Sequence, residues 1–312
     1  MDVILHVGAH RTATTCFQNY LRENREELWA RGIESWEPRL TRAGLFRGVV
    51  PIPGRGEPQA QLDRARGRIA IQIEKAAARG SRFLVVSDDN MLGTPRINLR
   101  DARLYADAGQ RMARFAHAFG AVAPRMALSI RQQDMFWASS MAFGVARGHR
   151  LLRARDLQHI TRGPRGWREV IEDLACAMDG AAPIMVMPYE VFGGRSEARL
   201  GAMTGQGDLP RSHAREWMNK SPRLAQLRQV LRDRGIDPAR LPDGEGRWMP
   251  FTNDQIATLQ EAYQDDLFWL TRGADGLAQL TEETGPVTAG QTPRPGEMTR
   301  GHANGIEERR MA

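Results

Sequence analysis

A chain of 312 residues, 41% of them hydrophobic, can bury a sizeable core in one large α/β domain or two small ones. No window holds the roughly 18 apolar residues of a membrane span, and the start Met1-Asp2-Val3-Ile4 lacks a basic-then-apolar leader. Two cysteines, Cys16 and Cys176, make no disulfide framework, and a net charge of +7 carried almost wholly by arginine favours anionic partners.

In chain order, the apolar run Val3-Ile4-Leu5-His6-Val7 predicts a strand, and Gly8-Ala9-His10-Arg11-Thr12-Ala13-Thr14-Thr15 a small-residue turn. The segment from Thr14 to Trp29, with Phe17, Leu21 and Leu28 on one face, predicts an amphipathic helix. Pro38 to Pro58 is rich in Pro and Gly and predicts a long connection or flap. A helix over Gln59 to Arg79 leads to the continuous apolar run Phe83-Leu84-Val85-Val86-Ser87, the pattern of a buried parallel strand, which ends in Asp88-Asp89-Asn90. Further helices are predicted over Leu104 to Phe119, Met135 to Val145, Trp167 to Met178, Ser221 to Arg234 and Thr252 to Leu270. Two more strands lie at Arg125–Ile130 and Pro183–Met187, and a short helix in a polar loop at Gly193 to Ser212. Between them, Arg147 to Arg168 is strongly basic: a lid over an anion or a solvated face. One domain is expected over residues 1–275, with a disordered tail over 276–312; aperiodic Pro, Gly, Thr and charge set in from about Thr284.

Strands alternating with helices predict an α/β fold, a three-layer sandwich around a central parallel sheet. Ligands in such sheets sit at the carboxyl ends of strands. That rule singles out Gly8–Thr15, Ser87–Asn90 and Arg131. The first is either an anion cradle, with free N–H groups and the positive end of a helix dipole facing a ligand, or a turn in which a threonine caps the helix. Polar or charged residues at all three strand ends favour the cradle.

The nucleotide P-loop, G-x-x-x-x-G-K-[ST], aligns on Gly8, but its second glycine becomes Ala13 and Thr14 stands where its lysine should be. That argues against an ATPase or GTPase. His10-Arg11-Thr12-Ala13-Thr14-Thr15 instead resembles the K-[ST]-G-T-T loop, often H-K-T-G-T-T in bacteria, of sulfotransferases that use 3'-phosphoadenosine 5'-phosphosulfate (PAPS). Arg131 at a strand end with Ser139 eight positions on resembles the pair that binds the donor's 3'-phosphate in that family. Tyr189-Glu190, Asn219-Lys220-Ser221 and Tyr263-Gln264-Asp265-Asp266 are similar to its Y-E, N-x-S and Y-x-x-D elements, and all fall in family order over residues 1–270.

The resemblance implies a P-loop NTPase-like sulfotransferase fold and a cytoplasmic enzyme moving a sulfuryl group from PAPS to a hydroxyl of a glycan, lipid or small metabolite. It implies that His10, Arg11, Thr12, Ala13, Thr14 and Thr15 cradle the 5'-phosphosulfate, that Arg131 and Ser139 take the 3'-phosphate, and that Ser221 lies near the cofactor. Arg11 would stabilise charge on the bridging oxygen, and Asp89, preferred over Asp88, would be the general base. Arg11 for the loop lysine and Ala13 for its glycine are departures, and they leave a non-catalytic nucleotide-binding relative as the alternative. Neither His149 nor His159 has metal-ligand spacing, so no metal is expected. A nucleic-acid-binding protein is disfavoured because aromatic stacking residues and a recognition helix are missing.

Overall fold

A computed structural model describes residues 1–282 except 121, 164 and 181. Six strands form one parallel sheet: β1 (Asp2–His6), β2 (Ile33–Trp36), β3 (Phe83–Ser87), β4 (Arg125–Ile130), β5 (Ile184–Pro188) and β6 (Ala278–Leu280), in the spatial order β2-β3-β1-β4-β5-β6. Two of them escape the sequence pattern. β2 carries Glu34 among four residues, and β6 has only three; both are edge strands.

Alternation along the central strands explains the layers. Val3 and Leu5 of β1, with Leu84 and Val86 of β3, face one apolar cluster; Ile4 and Val85 face the other. The first cluster is closed by the helices Pro58–Ala78, Ala108–Ala118, Gln133–Ala146, Trp167–Ala177, Leu224–Asp233 and Asn253–Thr271. The second is closed by Thr14–Glu23, Arg25–Ala30 and Ser196–Thr204, through Phe17, Tyr20, Leu21, Leu28, Leu200 and Met203. The molecule is thus α/β with both sheet faces covered. Each fully buried aromatic such as Phe17 contributes a few kcal/mol, since truncation to alanine at such positions costs about 3–5 kcal/mol.

Three expectations are corrected. The first helix is broken at Asn24, whose side-chain amide donates to the carbonyls of Tyr20 and Ser212 and so ends the turn (both 2.9 Å). The segment after Pro38 is not wholly irregular: Pro38–Leu40 and Thr41–Leu45 are helical turns, tied by Thr41 and Arg42 to Asp88, the residue that follows β3. The boundary at 275 is also too early. Leu277 accepts from Ile184 N–H (2.9 Å), and β6 extends the sheet beside β5. The rest of the predicted tail, 283–312, lies outside the described residues.

Chain direction positions the site. The connection leaving β1 runs to β2 at one edge of the sheet, whereas the chain leaving β4 runs to β5 on the other side. The carboxyl ends of β1 and β4 therefore flank a crevice, the place where open parallel sheets bind ligands. Among the described residues no helix is long and apolar enough to cross a membrane.

Candidate functional site

The loop after β1 is built by its own small and hydroxylated residues. Past the strand, Val7 and Ala9 N–H still pair with the β4 carbonyls of Ala127 and Ser129 (2.9 and 3.0 Å). Gly8 is required by crowding: a Cβ there would lie 2.6 Å from Thr14 Oγ1 and 3.0 Å from the His6 ring. Thr12 Oγ1 donates to the Ala9 carbonyl (2.6 Å), and Thr14 Oγ1 lies 3.2 Å from Thr12 Oγ1. Arg11 (φ 68°) and Ala13 (φ 61°) both take the left-handed conformation, which strains L-residues. Ala13 is the N-cap of Thr14–Glu23 and supplies no side-chain acceptor. The first-turn N–H groups of Thr14, Thr15 and Cys16 have no intrahelical partner.

Those groups open into a cavity of about 810 Å³. Arg11, Arg42, Arg131, Arg147, Lys220, Arg223 and Arg247 line it, against a single carboxylate, Asp89. His10, Ala13, Thr14, Thr15, Ser139 and Ser221 line it as well. Thr12 is the exception. It is fully buried and its hydroxyl is spent on the loop, so its side chain shapes the cradle without facing it.

Consecutive loop side chains reach different walls. Arg11 turns toward the helix Gln133–Ala146: Nε donates to Ser139 Oγ (2.9 Å), and Nη2 to Ser221 Oγ (3.0 Å) and the Asn219 carbonyl (2.9 Å). Its guanidinium lies 4.3 Å from the centroid of Phe143, and Ser139 and Ser221 are 2.6 Å apart. Arg131 Nη1 donates to the Arg11 carbonyl (2.7 Å), and its guanidinium stacks 4.3 Å over Tyr189. Burial first, then Arg131 and Arg147, push the Arg11 pKa down to about 10; burial likewise lowers Arg131. Among the described residues, no carboxylate pairs with Arg11, Arg131 or Arg147. Three cations held together with only the more distant Glu190 and Asp134 opposing the charge of Arg131 form a site that an anion would stabilise.

His10 points the other way. The Tyr105 hydroxyl accepts from His10 N–H (2.8 Å) and lies 2.9 Å from Nδ1, so the bonding pattern has it donating there. The proton then sits on Nε2, which lies 3.3 Å from Asn90 Oδ1 and 3.4 Å from Asp89 Oδ2. Burial lowers the His10 pKa and Asp89 opposes that shift, leaving a neutral ring at pH 7. Asp89 also pairs with Arg42 (2.5 Å). Asp88 is different in kind: buried, it accepts from Thr41 Oγ1 (2.5 Å), Arg42 Nη2 (2.6 Å) and Asn90 N–H (3.0 Å), and caps the short turn Asp89–Met91. Of the two aspartates only Asp89 reaches the cavity.

The motif echoes serve as supports. Glu190 accepts from Gln132 N–H (3.0 Å) and the Tyr263 hydroxyl (2.9 Å), locking the turn that follows Arg131. Asp266 accepts from Trp167 N–H (2.7 Å) and Arg168 N–H (3.3 Å), capping a helix almost a hundred positions away in sequence. Trp167 Nε1 in turn donates to the Arg131 carbonyl (2.7 Å). His6 is a packed strand residue, bridging Ser87 (2.8 Å) and Ser129 (3.2 Å) across three strands. Sequence reasoning missed Tyr105, Arg42 and Phe143, which sit in segments without a motif. Among the described residues no group of three His, Cys, Asp or Glu side chains is placed to hold a metal ion. Comparison with family models, with curated proteins and with solved structures finds no match.

Proposed function

We propose that this chain is a PAPS-dependent sulfotransferase of the P-loop-like fold, moving a sulfuryl group to a hydroxyl of a glycan, lipid or small metabolite. The observation that carries the reading is the convergence, in one cavity, of a strand-end loop with free N–H groups and a cluster, Arg11, Arg131, Ser139 and Ser221, whose two arginines have no carboxylate in salt-bridge contact among the described residues. A nucleotide carrying phosphates at both ends of its ribose needs two such anion subsites. The loop N–H groups with Thr14 and Thr15 would hold the 5'-phosphosulfate; Arg131 with Ser139 and Ser221 would take the 3'-phosphate.

Sulfuryl transfer is an in-line displacement, served mainly by positioning and by stabilising charge on equatorial oxygens. The acceptor oxygen forms a bond to sulfur while the bridging S–O bond breaks and 3'-phosphoadenosine 5'-phosphate leaves. Asp89, beside His10, is the group in the cavity able to accept the acceptor's proton.

A second reading, a relative that binds the nucleotide without turning it over, is favoured by one observation. The Arg11 guanidinium is engaged by Ser139 and Ser221, on the side assigned to the 3'-phosphate. Calorimetry with 3'-phosphoadenosine 5'-phosphate tests both readings. Wild type is expected to bind, and Arg131→Ala to lose at least about tenfold in affinity, the worth of a charge-assisted contact. No binding by wild type sinks the donor assignment, and undiminished binding by Arg131→Ala removes the 3'-phosphate site. Labelled sulfate transfer to an acceptor panel then separates enzyme from binder.

A further inference from the structure

Beneath the loop lies a charge that neither subsite uses. Arg199, on the helix Ser196–Thr204, is 1% exposed, and its guanidinium sits 5.5 Å from the centroid of Phe17. Nη2 donates to the Thr12 carbonyl (3.0 Å) and the Phe192 carbonyl (3.3 Å), while Nε and Nη1 have no acceptor among the described residues. Among the described residues no carboxylate pairs with it. Burial brings its pKa down to about 10, which still leaves it cationic at pH 7. A lone buried cation is among the costliest features a fold can carry, and here two carbonyls and the Phe17 ring offset that cost only in part.

The stereochemistry of one peptide bond connects this charge to the cavity. In a trans peptide the C=O and the following N–H point in opposite directions. Arg199 draws the Thr12 carbonyl down toward the core, so the N–H of Ala13, in the same plane, is turned away from Arg199 and toward the cavity that Ala13 lines. That peptide precedes a residue at φ 61° and ψ 26°, a left-handed conformation that strains an alanine. Helix Thr14–Glu23 adds its free first-turn donors on the same side.

We propose that Arg199 is the positioning residue of the anion loop: it fixes the Thr12–Ala13 peptide with its N–H toward the ligand, and an oxyanion seated on the loop neutralises its otherwise unpaired charge. The proposal rests on the loop being an anion cradle, as in the function proposed above, but not on the anion being PAPS. Arg199 touches the loop backbone from below and acts through it.

The test compares wild type, Arg199→Met and Arg199→Lys, with 3'-phosphoadenosine 5'-phosphate and inorganic pyrophosphate as separate probes. Arg199→Met is expected to lose at least about tenfold in affinity for each probe that wild type binds, while its ligand-free unfolding midpoint in urea stays at or above that of wild type. Arg199→Lys can still donate to the Thr12 carbonyl but loses the planar fork, and it is expected to fall between wild type and Arg199→Met in affinity. A merely structural arginine would do the reverse, lowering ligand-free stability and leaving the affinity of the folded protein alone; that result overturns the proposal. Should Arg199→Met not fold, the wild-type Ala13 amide decides by NMR: a shift on adding pyrophosphate is expected, and an unmoved resonance overturns the idea. Pyrophosphate binding without nucleotide binding defeats the PAPS reading while the Arg199 comparison still runs on pyrophosphate. Binding of neither probe by wild type defeats both.

Discussion

Replacing Ala13 by glycine probes the strain in the loop. Ala13 sits at φ 61° and ψ 26°, and holding an L-residue there costs about 1–2 kcal/mol. Glycine removes that cost, but it adds about 0.4–1 kcal/mol of conformational freedom to the unfolded chain. Glycine is also far better than alanine at a helix N-cap, which works in the same direction as strain relief. The balance is a net gain of about 0.5–1 kcal/mol, or roughly 1–3 °C in Tm for a domain of this size. Urea unfolding of wild type and Ala13→Gly, monitored by circular dichroism, should show a higher midpoint with an unchanged m-value. A lower midpoint would mean that Ala13 is not strained in the free protein, and the left-handed loop would then have to be abandoned. A changed m-value would place the effect in the unfolded ensemble instead.

Other expectations concern ionisation. Asp89 raises the His10 pKa against the lowering by burial, so Asp89→Asn should move the His10 titration, followed by NMR, to lower pH; movement upward would contradict the pairing. Burial pushes the Asp266 carboxyl from its ordinary 3.8 up to about 6, against the opposing backbone donors Trp167 and Arg168. A raised acid holds its proton more tightly when folded, so this contribution is fully present below about pH 3.8 and lost as pH rises through about 6. With each tenfold change in proton affinity worth about 1.4 kcal/mol, the stability advantage of wild type over Asp266→Asn should shrink by about 3 kcal/mol between about pH 3.5 and pH 7. A difference that stays flat with pH, in urea unfolding at both ends, would refute the raised acid.

Much of the architecture is legible locally. The four strands that read as apolar runs each have a neighbour on both sides, so both faces are buried and most of their residues are hydrophobic. The helices Pro58–Ala78, Trp167–Ala177 and Asn253–Thr271 follow from their 3.6-residue periodicity, and Thr252 with Gln255 forms a capping box readable in the sequence. Arg131 is legible from its place at a strand end, whereas Ser139 in the following helix is singled out only by the family resemblance. The edge strands β2 and β6 are not, because a short strand with one neighbour has little apolar surface to encode.

The site divides along the same line. Read locally, the chain shows a small-residue turn with three threonines between a strand and a helix, and an alanine, Ala13, where the aligned loops carry glycine. That Arg11 goes to Ser139 and Ser221 while its neighbour His10 goes to Tyr105 and Asn90 follows from the folded chain alone, through contacts spanning 80 to 210 positions. Arg199, 187 positions from the carbonyl it holds, leaves no local trace at all. A side chain's direction depends on which distant backbone closes over it, and no periodicity in the chain encodes that. The loop after β1 reads locally as either a capped turn or an anion site; the hold on its Thr12 carbonyl comes from a buried arginine on a helix far along the chain.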